Sequence, residues 1–109
     1  MNVIILPKVL DYLDDLVIIL YKEEYFGFLE SSSKYVKELL EDIKVNLPTK
    51  LHKPAPKYFD QYGKGMYYAS FRKNKHTEWY AFFRIYKKNG ELIYQIRYIA
   101  NNHTVAQYL

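Results

Sequence analysis

The chain has 109 residues, half of them hydrophobic and 18% aromatic, with no cysteine and a formal net charge of +4. That length suits one domain with its own core, the aromatic content excludes disorder, and the lack of cysteine excludes disulfide frameworks, zinc knuckles and thiol nucleophiles. The charge is uneven: residues 1–47 carry five lysines against nine acids, and residues 48–109 carry eleven Lys/Arg against three acids, a net of +8. Such asymmetry suits a polyanion bound to the basic half, or simply an ordinary basic surface.

In chain order, residues 2–6 read as a short buried strand. This run of five residues before Pro7, NVIIL, is too short for a signal-peptide core or a membrane span. Acids and lysines interrupt the apolar positions of 9–29, so the expectation is a soluble, cytoplasmic protein with no membrane partner. A first helix follows, with Val9, Leu10, Leu13, Val17 and Leu20 at helical spacing and Asp11, Asp14 and Asp15 outward. Tyr25-Phe26-Gly27-Phe28 breaks it. A second helix starts near the serines at 31–33 and carries Val36, Leu39, Leu40, Ile43 and Leu47 as its apolar stripe, with Pro48 ending it. Residues 48–65 form a long basic loop containing Lys50, Lys53, Lys57 and Lys64, whose prolines and glycines exclude a regular element.

Residues 66–109 contain three runs of period-two alternation, predicting a three-stranded antiparallel meander. Asn89-Gly90 is a two-residue hairpin signal, because a type I′ turn needs positive φ at both central positions. It sets Phe83 opposite Ile96, Ile85 opposite Tyr94, Ala81 opposite Tyr98, Arg84 opposite Gln95 and Phe82 opposite Arg97. A five-residue loop, Lys73-Asn74-Lys75-His76-Thr77, sets Phe71 opposite Trp79, Ala69 opposite Ala81 and Arg72 opposite Glu78. One face then carries Tyr67, Ala69, Phe71, Trp79, Ala81, Phe83, Ile85, Leu92, Tyr94 and Ile96. The other carries Tyr68, Ser70, Arg72, Tyr80, Phe82, Arg84, Gln95 and Arg97, which gathers all three arginines of the protein. The fold class is α+β: an N-terminal strand and a two-helix hairpin packed on an antiparallel sheet of three to four strands, in a single domain.

This order of elements, together with Thr77-Glu78-Trp79-Tyr80-Ala81-Phe82-Phe83-Arg84 and Tyr98-Ile99-Ala100-Asn101-Asn102-His103, resembles the RelE/ParE toxin superfamily of bacterial type II toxin–antitoxin systems. The HigB-like branch, whose members open the central strand with tryptophan or arginine, is the most similar. The resemblance implies a toxin neutralised by an acidic antitoxin protein, and two alternative activities: cleavage of mRNA on the ribosome without a metal, or inhibition of DNA gyrase without cleavage. A non-toxic binding domain that keeps only the fold is the third reading.

Metal-free RNA cleavage needs a base for the 2′-OH, charge stabilisation at phosphorus and an acid for the leaving oxygen. Arg72, Arg84 and Arg97 suit the second role, since a guanidinium fork matches phosphate oxygens. Arg72 has an ion pair with Glu78 as its other reading. His103 titrates near neutrality and is the acid or base candidate, or else supports a turn capped by Asn101 and Asn102. The resemblance offers Tyr108 for the same role. Tyr68, Tyr80 and Phe82 are candidates to stack bases, and the loop lysines to hold RNA backbone. No His/Asp/Glu spacing resembles a metal site, and no cofactor is implied.

Overall fold

The computed structural model describes residues 2–23 and 27–109. Part of the expected break between the helices, Tyr25 and Phe26, lies outside the described residues. The first strand, β1 (Asn2–Ile5), leads at once into helix α1 (Pro7–Lys22), where Pro7 supplies a pre-set φ in the first turn. Val9, Leu13, Leu16 and Leu20 form its buried stripe. The stripe is thus rotated from the sequence expectation, with Leu16 inside and Leu10 left 42% exposed. Helix α2 (Leu29–Asn46) buries Val36, Leu39 and Ile43. Ser32 lies fully buried within it and donates its hydroxyl to the Val17 carbonyl, which ties the two helices together.

The meander forms as expected, with β3 (Tyr67–Asn74), β4 (Thr77–Lys88) and β5 (Glu91–Asn101). Asn89 and Gly90 both have positive φ, at 52° and 82°, as the tight turn between β4 and β5 requires. Phe71 pairs with Trp79, Ala69 with Ala81, Phe83 with Ile96 and Arg84 with Gln95, so the register holds through most of the sheet. Two places depart from it. Lys73 is left over between Arg72 and Asn74, and Asn74 pairs with Thr77, so the expected five-residue loop closes to the two-residue turn Lys75-His76. The other is in β5. The pairing shifts between Phe82 and Phe83, so that Phe82 faces Tyr98 and Ala81 faces Ile99, with Arg97 left over as the extra residue of a β-bulge. Period-two alternation carries no mark of such an insertion.

The sheet has five strands in the order β1-β5-β4-β3-β2, not three or four, and it is mixed, because β1 runs parallel to β5. β1 is an edge strand whose side chains alternate between exposed and half-buried, rather than a buried one. The fifth strand, β2 (Lys53–Pro54), comes from the segment expected to be structureless. It pairs antiparallel with Tyr67 and Tyr68 alone, so among the described residues no strand lies along the rest of that edge of β3. Proline is tolerated there because its missing N–H faces away from the ladder. The same segment contains 3₁₀ turns at Leu47–Thr49 and Lys57–Tyr62. A short helix α3 (Asn102–Val105) and a last 3₁₀ turn (Ala106–Tyr108) follow β5.

Both faces of the sheet are covered. On one, α1 and α2 bury Phe71, Trp79, Ala81, Phe83 and Ile96; the Trp79 indole N–H donates to the Tyr35 hydroxyl at 2.9 Å. On the other, the Lys57–Tyr62 turn and α3 build a second apolar cluster of Phe59, Met66, Phe82, Ala100 and Val105. Phe82 has no exposed surface, and its ring stacks on Phe59 at 4.3 Å between centroids. The expectation that Phe82 stacks on bases is therefore corrected: its faces are occupied by the protein itself.

Phe82→Ala is accordingly expected to cost about 3–5 kcal/mol of folding stability, as for other buried aromatic truncations. Chemical denaturation measures it, with Tyr86→Ala as the exposed comparison expected to stay within about 0.5 kcal/mol. Equal stabilities for the two variants would contradict the second core.

Candidate functional site

The outer face, opposite the two helices, was expected to present three arginines together. The Phe59 and Phe82 cluster divides it instead. Arg72 lies opposite Glu78 near the β3–β4 hairpin, whereas Arg84 stands six residues further along β4, roughly 20 Å away at 3.3 Å per residue. Arg72 is turned toward its own hairpin, with Nε donating to the Asn74 carbonyl and Nη2 to the Lys75 carbonyl, both at 3.2 Å. Its guanidinium thus bonds the turn rather than Glu78. Arg84 is exposed, and its register partner Gln95 accepts from Arg97 at 3.0 Å, so Arg84 and Arg97 are neighbours and Arg72 is separate from them.

His103 lies elsewhere again. It sits exposed in α3, whose N-cap Asn101 accepts the Thr104 backbone N–H. Asn102 accepts the Glu78 N–H and donates to the His76 carbonyl, each at 3.1 Å, so both asparagines have structural work at this end of the sheet. His103 lines a groove of about 500 Å³ together with Tyr12, Tyr35 and Trp79, which is the helix side of the sheet. Tyr108 is ordered by a partner: its ring lies parallel to that of Tyr58, 3.6 Å between centroids and 3° between planes.

The loop lysines fall into three environments. Lys50 places its ammonium 4.9 Å from the centre of the Phe71 ring, a cation–π contact that anchors it. Lys57 and Lys64 are exposed. Lys53 stands across from Tyr68 on β2, and the two line a groove of about 440 Å³ with Leu51, Ser70, Tyr80 and Leu109.

Tyr80, which lines that second groove, is paired with Glu78, a pairing not singled out in the sequence. Tyr80 donates its hydroxyl to Glu78 Oε2 at 3.4 Å. Burial, the Glu78 charge and this hydrogen bond all push the Tyr80 phenol above its ordinary value, so it stays protonated at neutral pH. The next residue on β3 beyond Ser70 on this face is Arg72. From the hairpin end the Arg72 guanidinium and Glu78 carboxylate are register partners, the Tyr80 phenol comes next on β4, and Tyr68 with the Lys53 ammonium of β2 lies beyond it. The signal for it was the i, i+2 spacing of Glu78 and Tyr80, which puts both on one face of a strand. Among the described residues no three His, Cys, Asp or Glu side chains are grouped to hold a metal ion, and no helix is long and apolar enough to cross a membrane.

Tyrosine ionisation gives a test of these surroundings. Tyr98, half-buried and stacked on Tyr62 at 3.8 Å, is held well above the ordinary phenol range chiefly by burial, and burial also raises Tyr12 and Tyr80. Between the unfolded and the folded values the native state binds more protons, so stability is fully present below about pH 10 and falls as pH rises beyond it. Urea unfolding as a function of pH is expected to show that decline, and Tyr98→Phe to make it shallower. A flat profile from pH 9 to 12 would contradict it.

Comparison with protein-family profiles, with curated proteins and with solved structures returns no match.

Proposed function

We propose that this protein is the toxin of a type II toxin–antitoxin module, a ribosome-dependent and metal-independent mRNA endonuclease neutralised by an acidic antitoxin. The observation that carries the reading is the hydrogen bond of Tyr80 to Glu78, with Tyr80 lining a groove beside Lys53 and Tyr68 and with Arg72 on the same face. In this reaction Glu78 takes the proton of the 2′-OH, whose oxygen attacks the adjacent phosphorus. The bond to the 5′ oxygen breaks, leaving a 2′,3′-cyclic phosphate, and the Tyr80 phenol protonates the departing oxygen. The hydrogen bond between the two side chains then returns the proton from Glu78 to Tyr80. Lys53 and Arg72 offset the charge that builds on the phosphorane oxygens, and Tyr68 stacks on a neighbouring base.

Gyrase inhibition without cleavage is the second reading. It is favoured by the separation of His103 from the arginines and by the commitment of two Arg72 donors to the hairpin carbonyls. Expression in cells followed by primer extension on ribosome-engaged transcripts decides between them. Discrete cuts are expected, reduced on the order of 10²-fold by Tyr80→Phe and by Glu78→Gln, and similarly by Arg72→Ala. His103→Gln should cut as wild type does. Growth arrest with intact transcripts would overturn the nuclease in favour of the gyrase reading.

The antitoxin is expected to lay an acidic, partly disordered segment over the basic half and to bind more weakly as salt rises. Affinity measured from low to high ionic strength tests this. A complex indifferent to salt would count against it.

A further inference from the structure

The bulge in β5 and the turn at Gly63 meet on one side chain, Arg97. A bulge re-aims the residue it inserts. Here it places the guanidinium where Nε donates to the Tyr62 carbonyl at 2.9 Å and Nη1 donates to Gln95 Oε1 at 3.0 Å. Gly63, at φ 149°, lies so close that a Cβ there would stand 2.6 Å from Arg97 Nε. Two of the five guanidinium donors are used in this way, and among the described residues the other three meet no protein acceptor.

Beside Arg97 is a groove of about 220 Å³ lined by Lys8, Val9, Tyr12, Tyr62, Tyr98 and Ile99. β1 pairs with β5 only as far as Ile96, which leaves this stretch of the β5 edge open. At roughly 30 Å³ per water in the liquid, the space takes one aromatic ring system and not two. Both charged side chains lining it, Lys8 and Arg97, are cationic.

We propose that this groove is a nucleotide subsite for single-stranded RNA, with the base against the tyrosine rings and its phosphate on Arg97 and Lys8. It rests on the RNA-directed reading above but occupies the open edge of β5, the strand next to the β4 that carries Tyr80 and Glu78, so it takes a nucleotide flanking the cleaved bond. A guanidinium held in a fixed orientation matches the phosphate fork, and the Tyr62 and Tyr98 rings, stacked on each other at 3.8 Å, offer a base their outer faces and edges. An acidic peptide would need the cations but not a ring-sized apolar groove.

The test is titration of the full chain with adenosine monophosphate, followed through the methyl NMR resonances of Val9 and Ile99, which line the groove. The nucleotide is expected to shift both methyls and to bind more tightly than inorganic phosphate. Arg97→Gln should weaken it about tenfold or more, the loss expected of a charge-assisted hydrogen bond. Arg97→Lys should restore part, and Gly63→Ala, which displaces the guanidinium without changing charge, should also weaken binding. Lys8 is exposed, so Lys8→Gln leaves the fold intact and should cost severalfold. The proposal is overturned if the methyls do not move, if phosphate binds as well as the nucleotide, if a hexaglutamate peptide outcompetes it, or if Lys8→Gln and Arg97→Gln bind as wild type does. Transcript cleavage without nucleotide binding sinks the subsite alone, and nucleotide binding without cleavage sinks the endonuclease alone.

Discussion

The structure depends on β4 being buried from both sides. Trp79, Ala81 and Phe83 point into the layer under the helices, and Phe82, between them in sequence, has no exposure on the opposite side. Covered on both faces, β4 carries no charge between Glu78 at its start and Arg84, where it emerges. The outer cover is thin: a single 3₁₀ segment and a one-turn helix. It seals the middle of the outer face and leaves polar strips on either side. The location of the Tyr80–Glu78 groove at one edge and of Arg97 at the other is a consequence of that central seal.

Much of this was legible in the sequence. Asn89-Gly90 fixed the β4–β5 hairpin through backbone stereochemistry, and the alternation of Phe71, Trp79, Ala81 and Phe83 fixed the helix-facing side, because a one-residue slip would have placed charges in the core. Three things were not legible. The bulge at Arg97 inserts one residue opposite Phe82 and Phe83, which make β4 aromatic on both faces, so hydrophobic alternation reads equally well with or without it. The cover over Phe82 comes from residues 57–62, which have turn-rich neighbours and no helical period long enough to detect, since a 3₁₀ run of six residues presents only two side chains to a surface. The third is the side of the sheet on which His103 lies: the Asn101 cap was one of the two sequence readings and is present, but the bridges of Asn102 to Glu78 and His76 link residues more than twenty apart.

The candidate site was correspondingly half visible. Lys53, Tyr80 and Arg72 were singled out for their residue types, and they share one face of the β2–β3–β4 corner. Glu78 was read only as a counter-ion for Arg72, but the arginine found nearer acceptors in its own hairpin, leaving the carboxylate to Tyr80. Local carbonyls win such contests when a long side chain reaches them without crossing to another strand, because less rotamer freedom is lost.

The short reach of β2 has a consequence for how copies of this chain meet one another. Beyond Tyr68 the outer edge of β3 offers backbone N–H and C=O groups to any extended segment, a template for edge-to-edge association. Arg72, Lys73 and Lys75 crowd this stretch and its turn, so two copies approaching along it bring like charges together. Their mutual repulsion acts as a guard against aggregation. The guard is only as strong as the solution allows: a polyanion or concentrated salt that neutralises those three side chains also removes what keeps the edges apart. Resistance to edge-to-edge pairing and the proposed binding of RNA therefore draw on the same charges and oppose each other.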